Sequence, residues 1–284
     1  MCDLASGREF TYSEMNERTS RLATAFRDEF GVQRGTRIAV LAENDTNFFE
    51  VQFACWKLGA VFVPLNWRLS IPELEYIVGD ASPHVIIHDD AFEDNATKLA
   101  ELCAISHRIT WGSAIGEAAA YEEVLASHEP WLESEDCTHD EILTIMYTSG
   151  TTGPSKGVLM PQGHCYLFAL GIVAAMELTQ HDRYFCCMPL FHANGLFMQV
   201  YASLLAGASC HVTKRFSVTD WLNIVREEKI TVTNALGVMP EFIFRSPASN
   251  HDQDHLLTRI LAIPVAEEWG EAMEELSLIH ISAP

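Results

Sequence analysis

One short stretch of the chain, "YTSGTTGPSKGV", combines hydroxyl side chains, glycines and a single lysine. Glycines let a backbone turn sharply and approach a ligand closely. Successive free N–H groups in such a loop form a concavity that binds anions, hydroxyls add donors, and a lysine adds a point charge that suits phosphate. These residue types predict a cradle for a polyphosphate, formed by Thr148, Ser149, Gly150, Thr151, Thr152, Gly153, Ser155, Lys156 and Gly157.

The Walker A loop, G-x-x-x-x-G-K-[ST] followed by a helix, does not fit this sequence. Ser155 precedes the lysine where that loop has glycine, and Gly157 follows it where that loop has serine or threonine. The next residues, "VLMP", are typical of a strand that stops at a proline and not of the first turn of a helix. We therefore expect the loop to bind phosphate without a helix N-terminus, which argues against a P-loop NTPase.

The elements around the loop follow an alternating pattern. "ILTIMY", directly before it, predicts a buried strand, and strand-like runs such as "RIAVLAE" and "RYFCCMP" alternate with helical periods such as "SIPELEYIVGDA". The alternation predicts an α/β fold with βαβ units around mostly parallel strands. An acidic stretch of weak periodicity interrupts it. We expect a first α/β half at about 10–112, a loosely ordered acidic connection at about 113–141, and a second half at about 142–275.

The overall composition limits the possible partners. The chain has 284 residues, of which 48% are apolar, so it can bury a sizeable core as one large domain or two modest ones. Its formal net charge of -21 repels nucleic acid and anionic lipid heads, and neither is expected as a partner. Any anionic ligand must therefore meet a local positive field.

The cysteines and the apolar runs indicate the compartment. The eight cysteines are irregularly spaced without a Cys-x-x-Cys pair, which is typical of reduced thiols and not of a disulfide framework or a zinc site. The polar start of the chain lacks the pattern of a secretory signal. The longest apolar run, Cys165–Met176, is shorter than the ~20 residues of a membrane span. We expect it to form a buried core helix and the protein to be cytoplasmic.

The loop motif resembles the phosphate-binding signature of the adenylate-forming (AMP-dependent) synthetase/ligase superfamily, which includes acyl-CoA synthetases. The stretches "FTYSEMNERTSRLATAF", "GVQRGTRIAVLAENDTNFFEVQFACWKLGAVFVPLNWRLS" and "NALGVMP" also resemble family segments. The region "PLFHANGLFMQVYASLLAGAS" is most similar to carnitine/crotonobetaine-type CoA ligases, and fatty-acid and aromatic-acid ligases stay open as alternatives. The resemblance covers about residues 10–275 and implies the large N-terminal domain of this fold, with two mostly parallel sheets flanked by helices.

The resemblance implies an acid–CoA ligase that works in two steps. The carboxylate attacks the α-phosphorus of ATP, which gives an acyl-adenylate and pyrophosphate, and coenzyme A then displaces AMP. Neither step needs a protein nucleophile, so the protein supplies positioning and charge neutralisation. By family position, the loop from Thr148 to Lys156 would hold the β- and γ-phosphates, and Thr148 would be a ligand of the Mg²⁺ that bridges phosphate oxygens. Lys156 and His192 would be the catalytic residues, whereas Arg68 would contact a ligand or form a surface ion pair.

The sequence departs from the family toward its end. The family's Tyr-Gly-x-Thr-Glu and Thr-Gly-Asp motifs and its late catalytic lysine would lie beyond residue 275. We therefore expect an N-terminal portion, truncated before the small C-terminal domain, with little or no turnover by itself. The final residues 276–284, "LSLIHISAP", resemble a translated sequencing adaptor and are expected to be a non-native tail. A non-catalytic ATP-binding or regulatory fragment stays an alternative, and a homo-oligomer is compatible with the sequence.

Overall fold

The computed structural model describes residues 1–113, 116–131, 133–148, 153–247, 251–263 and 280–282. The chain divides into two compact units. The first unit consists of Phe10–Cys165 and Leu190–His192, and the second consists of Met1–Glu9, Tyr166–Pro189 and Ala193–Pro284. Each unit contains one sheet, and the two are described separately.

The strands in chain order are β1 (Cys2–Asp3), β2 (Arg8–Glu9), β3 (Arg37–Leu41), β4 (Val61–Pro64), β5 (Val85–His88), β6 (His107–Thr110), β7 (Ala119–Ala120), β8 (Ile142–Tyr147), β9 (Gly157–Pro161), β10 (Arg183–Cys186), β11 (Ser209–Val212), β12 (Val232–Leu236), β13 (Arg259–Ile263) and β14 (His280–Ser282). The helices are α1 (Tyr12–Asp28), α2 (Asn47–Lys57), α3 (Ile71–Ala81), α4 (Glu93–Cys103), α5 (Tyr121–Ala126), α6 (Gln162–Ala175), α7 (Ala202–Ala206), α8 (Val218–Glu227) and α9 (Met239–Phe244). A 3₁₀ turn at Asp90–Phe92 and a π-helix at Asn194–Tyr201 complete the described elements.

Both sheets are mostly parallel, as the sequence predicted. The sheet of the first unit has the order β7-β6-β5-β3-β4-β8-β9, and only the β8–β9 pair is antiparallel among its described strands. The sheet of the second unit has the order β14-β13-β12-β10-β11-β1-β2, in which β1 and β2 form the one antiparallel pair of the described strands. Helices connect several of the parallel neighbours, such as α2 between β3 and β4 and α9 between β12 and β13, which confirms the predicted α/β class.

Capping residues mark the starts of two predicted helices. Thr11 and Glu14 form a reciprocal capping box at α1, and Ser70 and Glu73 form another at α3. In such a box the hydroxyl accepts from the backbone of the third helical residue while the glutamate accepts from the cap backbone, so two otherwise unpaired donors are satisfied. These local contacts explain why both helices begin where the sequence indicates.

The predicted acidic connection at about 113–141 is more ordered than the sequence predicted. Its described residues contain β7 and α5. Helix α5 is anchored by the buried Tyr121, whose hydroxyl donates to Glu50 at 2.8 Å, while Arg18 Nε donates to the same carboxyl group at 2.7 Å. The helix is so short that its buried face leaves little periodic signal. The boundaries 10–112, 113–141 and 142–275 stay predictions.

The apolar run Cys165–Met176 is helical, but the expectation of a fully buried helix is wrong. Its buried side chains, such as Cys165, Ala169 and Ile172, recur at helical spacing, whereas Leu167 on another face is 64% exposed. Three further large apolar residues of α6 are also exposed, namely Tyr166, Phe168 and Leu170. Both faces of α6 are apolar, but only one face packs against the rest of the protein. The composition alone therefore does not reveal which face is exposed.

All eight cysteines are free thiols, as the spacing predicted. Burial raises the pKa of the Cys55 thiol well above its ordinary value, so this side chain behaves as a small apolar group. Among the residues that the structure describes, no helix is both long and apolar enough to cross a membrane.

His211 on β11 is a buried titratable ring of the second unit. Its Nδ1 lies 3.0 Å from Glu228 Oε2, and its Nε2 lies 3.1 Å from Ser209 Oγ. Burial, followed by the positive charges of Arg183 and the chain's amino terminus, lowers the pKa of His211 to about 4. The Glu228 carboxylate favours a charged ring, but it also pairs with Arg183 at 3.6 Å and is partly exposed, so burial dominates.

His211 should make the stability of the protein depend on pH. Because its folded pKa of about 4 lies below the ordinary 6.5, the unfolded chain binds the proton first as the pH falls. We expect the free energy of unfolding to decline from about pH 6.5 toward pH 4, by up to ~1.4 kcal/mol per pH unit from this group. Denaturant titrations across this range should show a flatter profile for His211→Gln. Parallel profiles for the two proteins would contradict the assignment.

Candidate functional site

The chain reverses direction along the first sheet where β4 and β8 lie side by side. After β4 the chain continues to β5, which lies on the far side of β3. After β8 it continues in the opposite direction to β9 at the edge of the sheet. Connections that diverge from two neighbouring parallel strands leave a crevice at their carboxyl ends, where ligands bind in such sheets. A cavity of about 80 Å³ lies there, and its lining includes Pro64, Tyr147, Thr148, Ser155, Phe191 and His192.

The predicted phosphate loop is the tip of the β8–β9 hairpin. The antiparallel pairing of these strands ends at Tyr147 and Gly157, and the Thr148 N–H donates to the Lys156 carbonyl at 3.1 Å. A strand follows the loop, so the helix of a Walker A site is not present at this position. The predicted site residues Ser149, Gly150, Thr151 and Thr152 lie outside the described residues.

Contacts at the base of the hairpin explain the glycine at position 157. A Cβ atom there would lie 3.1 Å from Ile145 Cγ2 and 3.2 Å from Tyr147 Cζ, so the aromatic ring occupies the space that a side chain needs. The Tyr147 hydroxyl donates to Asp80 Oδ2 at 2.6 Å. The ring is therefore held between α3 and the hairpin, and it closes one side of the cavity.

Three further predicted loop residues, Gly153, Ser155 and Lys156, are described by the structure and are at least partly accessible to solvent. Gly153 and Lys156 are exposed, and Ser155 is half-buried at the cavity. In the described part of the chain, the Lys156 ammonium has no ion pair with a carboxylate. Lys156 follows Ser155, which lines the cavity, and a cation without an acidic partner can supply the local positive field that an anionic ligand needs in a chain of net charge -21.

The structure brings His192 to the same cavity as Thr148 and Ser155. The imidazole ring centroid lies 4.7 Å from that of Phe191, which is buried. Although the residue as a whole is exposed, desolvation of the ring lowers the pKa of His192, and the positive charge of Arg68 lowers it further. The ring is thus kept neutral near pH 7, where it can accept or donate a hydrogen bond to a ligand.

Arg68 is held by aromatic faces. Its guanidinium carbon lies 5.0 Å from the ring centroid of Trp67 and 5.7 Å from that of Phe191, within the range of a cation–π interaction. No carboxylate pairs with it among the described residues, so the surface ion pair that the sequence left open is not observed there. Arg68 is a second cation near the cavity that is available to an anion.

Removing the charge of Arg68 should raise the pKa of His192. Arg68→Gln deletes the positive charge that opposes protonation of the imidazole, but it leaves desolvation, the larger cause, in place. We therefore expect a pKa that lies above the wild-type value and still below the ordinary 6.5. NMR titration of the His192 ring measures it, with Arg27→Gln on α1 of the same unit as control, because the charge of Arg27 is not among the causes that lower this pKa. An unchanged pKa would show that the two groups are not electrostatically coupled.

The described residues by themselves offer no complete ligand set for a divalent cation. Among the described residues, no group of three or more His, Cys, Asp or Glu side chains is arranged to hold a metal. Thr148 at the cavity offers one hydroxyl, a hard oxygen donor that fits Mg²⁺. Since Mg²⁺ commonly binds through one or two protein oxygens plus substrate phosphates, the residues present fit a shared site.

Sequence reasoning did not identify Asn44, Tyr147 or Asp80. Asn44 follows β3, and its side-chain Oδ1 accepts the Leu190 N–H at 2.9 Å. The signal that could have found it is its position, because a polar residue just after a buried parallel strand lies at the edge where such folds bind ligands. Tyr147 and Asp80 gave no such signal, since they meet only in three dimensions.

Two larger cavities, of about 390 and 370 Å³, lie at the opposite edge of the first sheet. They are lined by residues at the amino ends of strands, including Arg37, His84 and His107. None of the described residues that the sequence predicted for the site lines them. The smaller cavity therefore remains the candidate, and its size suits part of a ligand, such as a phosphate group.

Known proteins match this chain over most of its length. The chain is 32% identical to a feruloyl-CoA synthase from Amycolatopsis sp over 241 residues, which cover 85% of this chain and 46% of that protein. It is 26% identical to the crotonobetaine/carnitine–CoA ligase of Salmonella typhimurium over 267 residues, which cover 89% of this chain and 50% of that protein. The chain thus spans about half the length of the curated relatives it matches.

The fold is also shared with solved structures. The N-terminal domain of FACL13 from Mycobacterium tuberculosis superposes with a TM-score of 0.89 at 24% identity, covering 99% of this chain and 70% of that one. This confirms the predicted N-terminal fold of the adenylate-forming enzymes. The family model described as AMP-binding enzyme matches residues 2–279. The two sheets, the hairpin loop and this match together show that the chain belongs to the AMP-binding enzyme family.

Proposed function

We propose that this protein is an ATP-dependent acid–CoA ligase. The observation that supports it most directly is the cavity at the ends of β4 and β8, where Thr148 and Ser155 of the hairpin lie with His192. Lys156 follows Ser155 in the hairpin loop, and Arg68 lies against Phe191, which lines the cavity. Neither cation has an acidic partner among the described residues. This arrangement suits a polyphosphate whose negative charge grows at the leaving group during reaction.

The proposed reaction begins with attack of a carboxylate oxygen on the α-phosphorus of ATP. The bond from this phosphorus to the bridging oxygen breaks, and pyrophosphate leaves. Lys156 and the loop hydroxyls would neutralise charge on the β- and γ-phosphates. Thr148 would help to hold a bound Mg²⁺, which would supply further positive charge to the phosphates. The thiol of coenzyme A would then attack the acyl carbon and release AMP. His192 would contact the acyl group or the reacting centre.

The acid is proposed to be aromatic or of the carnitine type, because the relatives reported above are a feruloyl-CoA synthase and a crotonobetaine/carnitine–CoA ligase. A pyrophosphate-release screen tests this on the longest protein that the gene encodes, with ferulate, crotonobetaine and a saturated fatty acid in parallel. Release with one acid, together with its acyl-adenylate in mass spectra, would support the proposal. Release with none of a broad acid panel would contradict it.

The 284-residue chain by itself is proposed to bind ATP with little turnover, since it spans about half the length of its relatives. Calorimetry should then show ATP binding that weakens in Lys156→Ala, while acyl-CoA accumulates little. Sustained acyl-CoA formation by this chain would contradict the expected inactivity. Lys156-dependent ATP binding without adenylate in the longest gene product would instead favour the alternative, a non-catalytic ATP-binding protein.

A further inference from the structure

The candidate His192 lies in a turn that no described sheet or helix ladder holds. Leu190, Phe191 and His192 connect Pro189 to the residues that start the π-helix. Irregular backbone of this kind depends on side chains or water to satisfy its polar groups. Leu190 is fully buried, so its N–H needs an acceptor within the protein.

That acceptor is the side chain of Asn44. The Leu190 N–H donates to Asn44 Oδ1 at 2.9 Å, across a separation of 146 residues in sequence. Both partners are buried, with Asn44 only 3% exposed. Loss of this acceptor would destabilise the folded turn, because the Leu190 N–H would then be buried without a hydrogen bond and without water.

The residues next to Leu190 face the cavity. Phe191 packs edge-on against Trp67 with ring centroids 6.4 Å apart, and its own ring lies 4.7 Å from that of His192. His192 lines the cavity with Thr148 and Ser155. The position of the imidazole therefore depends on a turn whose backbone bond to Asn44 ties it to the carboxyl end of β3.

We propose that Asn44 is a positioning residue, whose amide oxygen fixes the turn Leu190–His192 and so sets the place of His192 at the cavity. Asn44 does not line the cavity, and it acts through the backbone of Leu190. The consequence for catalysis rests on the proposed function, whereas the positioning contact does not. Displacement of a reacting group by about 1 Å can lower a rate by ~10²-fold, so a single buried acceptor is sufficient to matter.

The first test uses the 284-residue protein and needs no enzymatic activity. In the wild type, the Leu190 amide should exchange hydrogen at least ~100-fold more slowly than the amide of Ser134, an exposed residue whose N–H has no acceptor among the described residues. Asn44→Leu keeps the branched shape of the side chain and removes the acceptor, so exchange at Leu190 should rise by at least ~10-fold and the NMR signals of the His192 ring should shift. Asn44→Asp retains an acceptor oxygen at the same place and should restore most of the protection.

A matched control separates positioning from general destabilisation. Asn16→Leu makes the same substitution at an exposed site on α1 and should leave the His192 signals unchanged. Fast exchange of Leu190 in the wild type would overturn the proposal even if Asn44→Leu does not fold. It would also be overturned if His192 signals were identical in wild type and Asn44→Leu, or if Asn44→Asp behaved as Asn44→Leu does.

The second test measures catalysis in the longest gene product. Asn44→Leu should lower kcat for adenylate formation by ~10–100-fold and change the KM for ATP less than ~3-fold, because the hairpin loop remains intact. Equal loss in kcat and in ATP affinity would indicate a merely structural role and would contradict the proposal. If the wild type forms no adenylate with any acid, the proposed function fails, while the exchange measurements still decide whether Asn44 positions the turn.

Discussion

Replacing Lys156 by alanine is expected to slow acyl-adenylate formation by ~10²–10³-fold, the usual effect of removing one well-placed donor from a charge-stabilising site. The lysine follows Ser155, which lines the cavity, and its own carbonyl holds the hairpin closed through the Thr148 N–H. The substitution removes the ammonium and leaves that backbone bond. Single-turnover formation of the acyl-adenylate in the intact enzyme measures the effect.

Lys98→Ala is the matched control for this experiment. Lys98 is an exposed lysine of the first unit on α4, and it does not line the cavity. The control changes the net charge by the same amount, so it separates a local effect from the general charge of the protein. An adenylation rate for Lys156→Ala equal to that of Lys98→Ala would remove Lys156 from the proposed site.

Replacing Gly195 by alanine is expected to destabilise the second unit strongly. A Cβ atom at this position would lie 2.6 Å from the Pro189 carbonyl oxygen and 2.8 Å from that of Met188. Both are backbone atoms, so no side-chain rotation relieves the clash. Overpacking of this kind typically costs about 1–3 kcal/mol, and a forced backbone shift places Gly195→Ala at the upper end. Urea unfolding of wild type and variant measures the loss.

The surroundings of Gly195 offer little freedom to relax. The preceding Asn194 accepts from Asn234 Nδ2 at 3.0 Å, and Asn234 in turn accepts from the Tyr184 hydroxyl at 2.5 Å. Gly171→Ala is the control, because a Cβ atom on this glycine of α6 meets nothing within 4 Å. That substitution should stabilise the protein by about 0.5–1 kcal/mol. Equal stability of the two variants would show that the backbone near Met188 yields easily.

The hairpin shows how far a sequence pattern can predict a site. The residues "VLMP" indicated a strand after the loop, and β9 confirms it, so the strand–loop–helix geometry was correctly rejected. The pattern also predicted Thr148, Ser155 and Lys156 as neighbours in one loop, because the short chain between them keeps these residues close in space. Their ligand roles stay predictions. That His192 lies at the same cavity follows from the fold and was expected only from the resemblance.

Two failed expectations have one physical cause. The helix α6 was expected to be buried because it is apolar all round, yet only one face packs. The acidic stretch was expected to be loosely ordered, yet the hydroxyl of Tyr121 and the guanidinium of Arg18 both bind the buried Glu50. Composition reports which residues favour burial, but it does not report which surfaces are available to bury them.

The amino-acid sequence by itself determined the local structure of this protein, namely the alternation of strands and helices, the capping boxes at Thr11 and Ser70, and the extended exit from the phosphate loop. These features depend on dihedral preferences and on contacts between residues a few positions apart. The tertiary structure decided the partners of distant segments, such as the pairing of Cys2 with His211 and the bond from Leu190 to Asn44. Such contacts depend on how whole elements pack, because a donor in one segment finds its acceptor only after both have been brought to the same buried place.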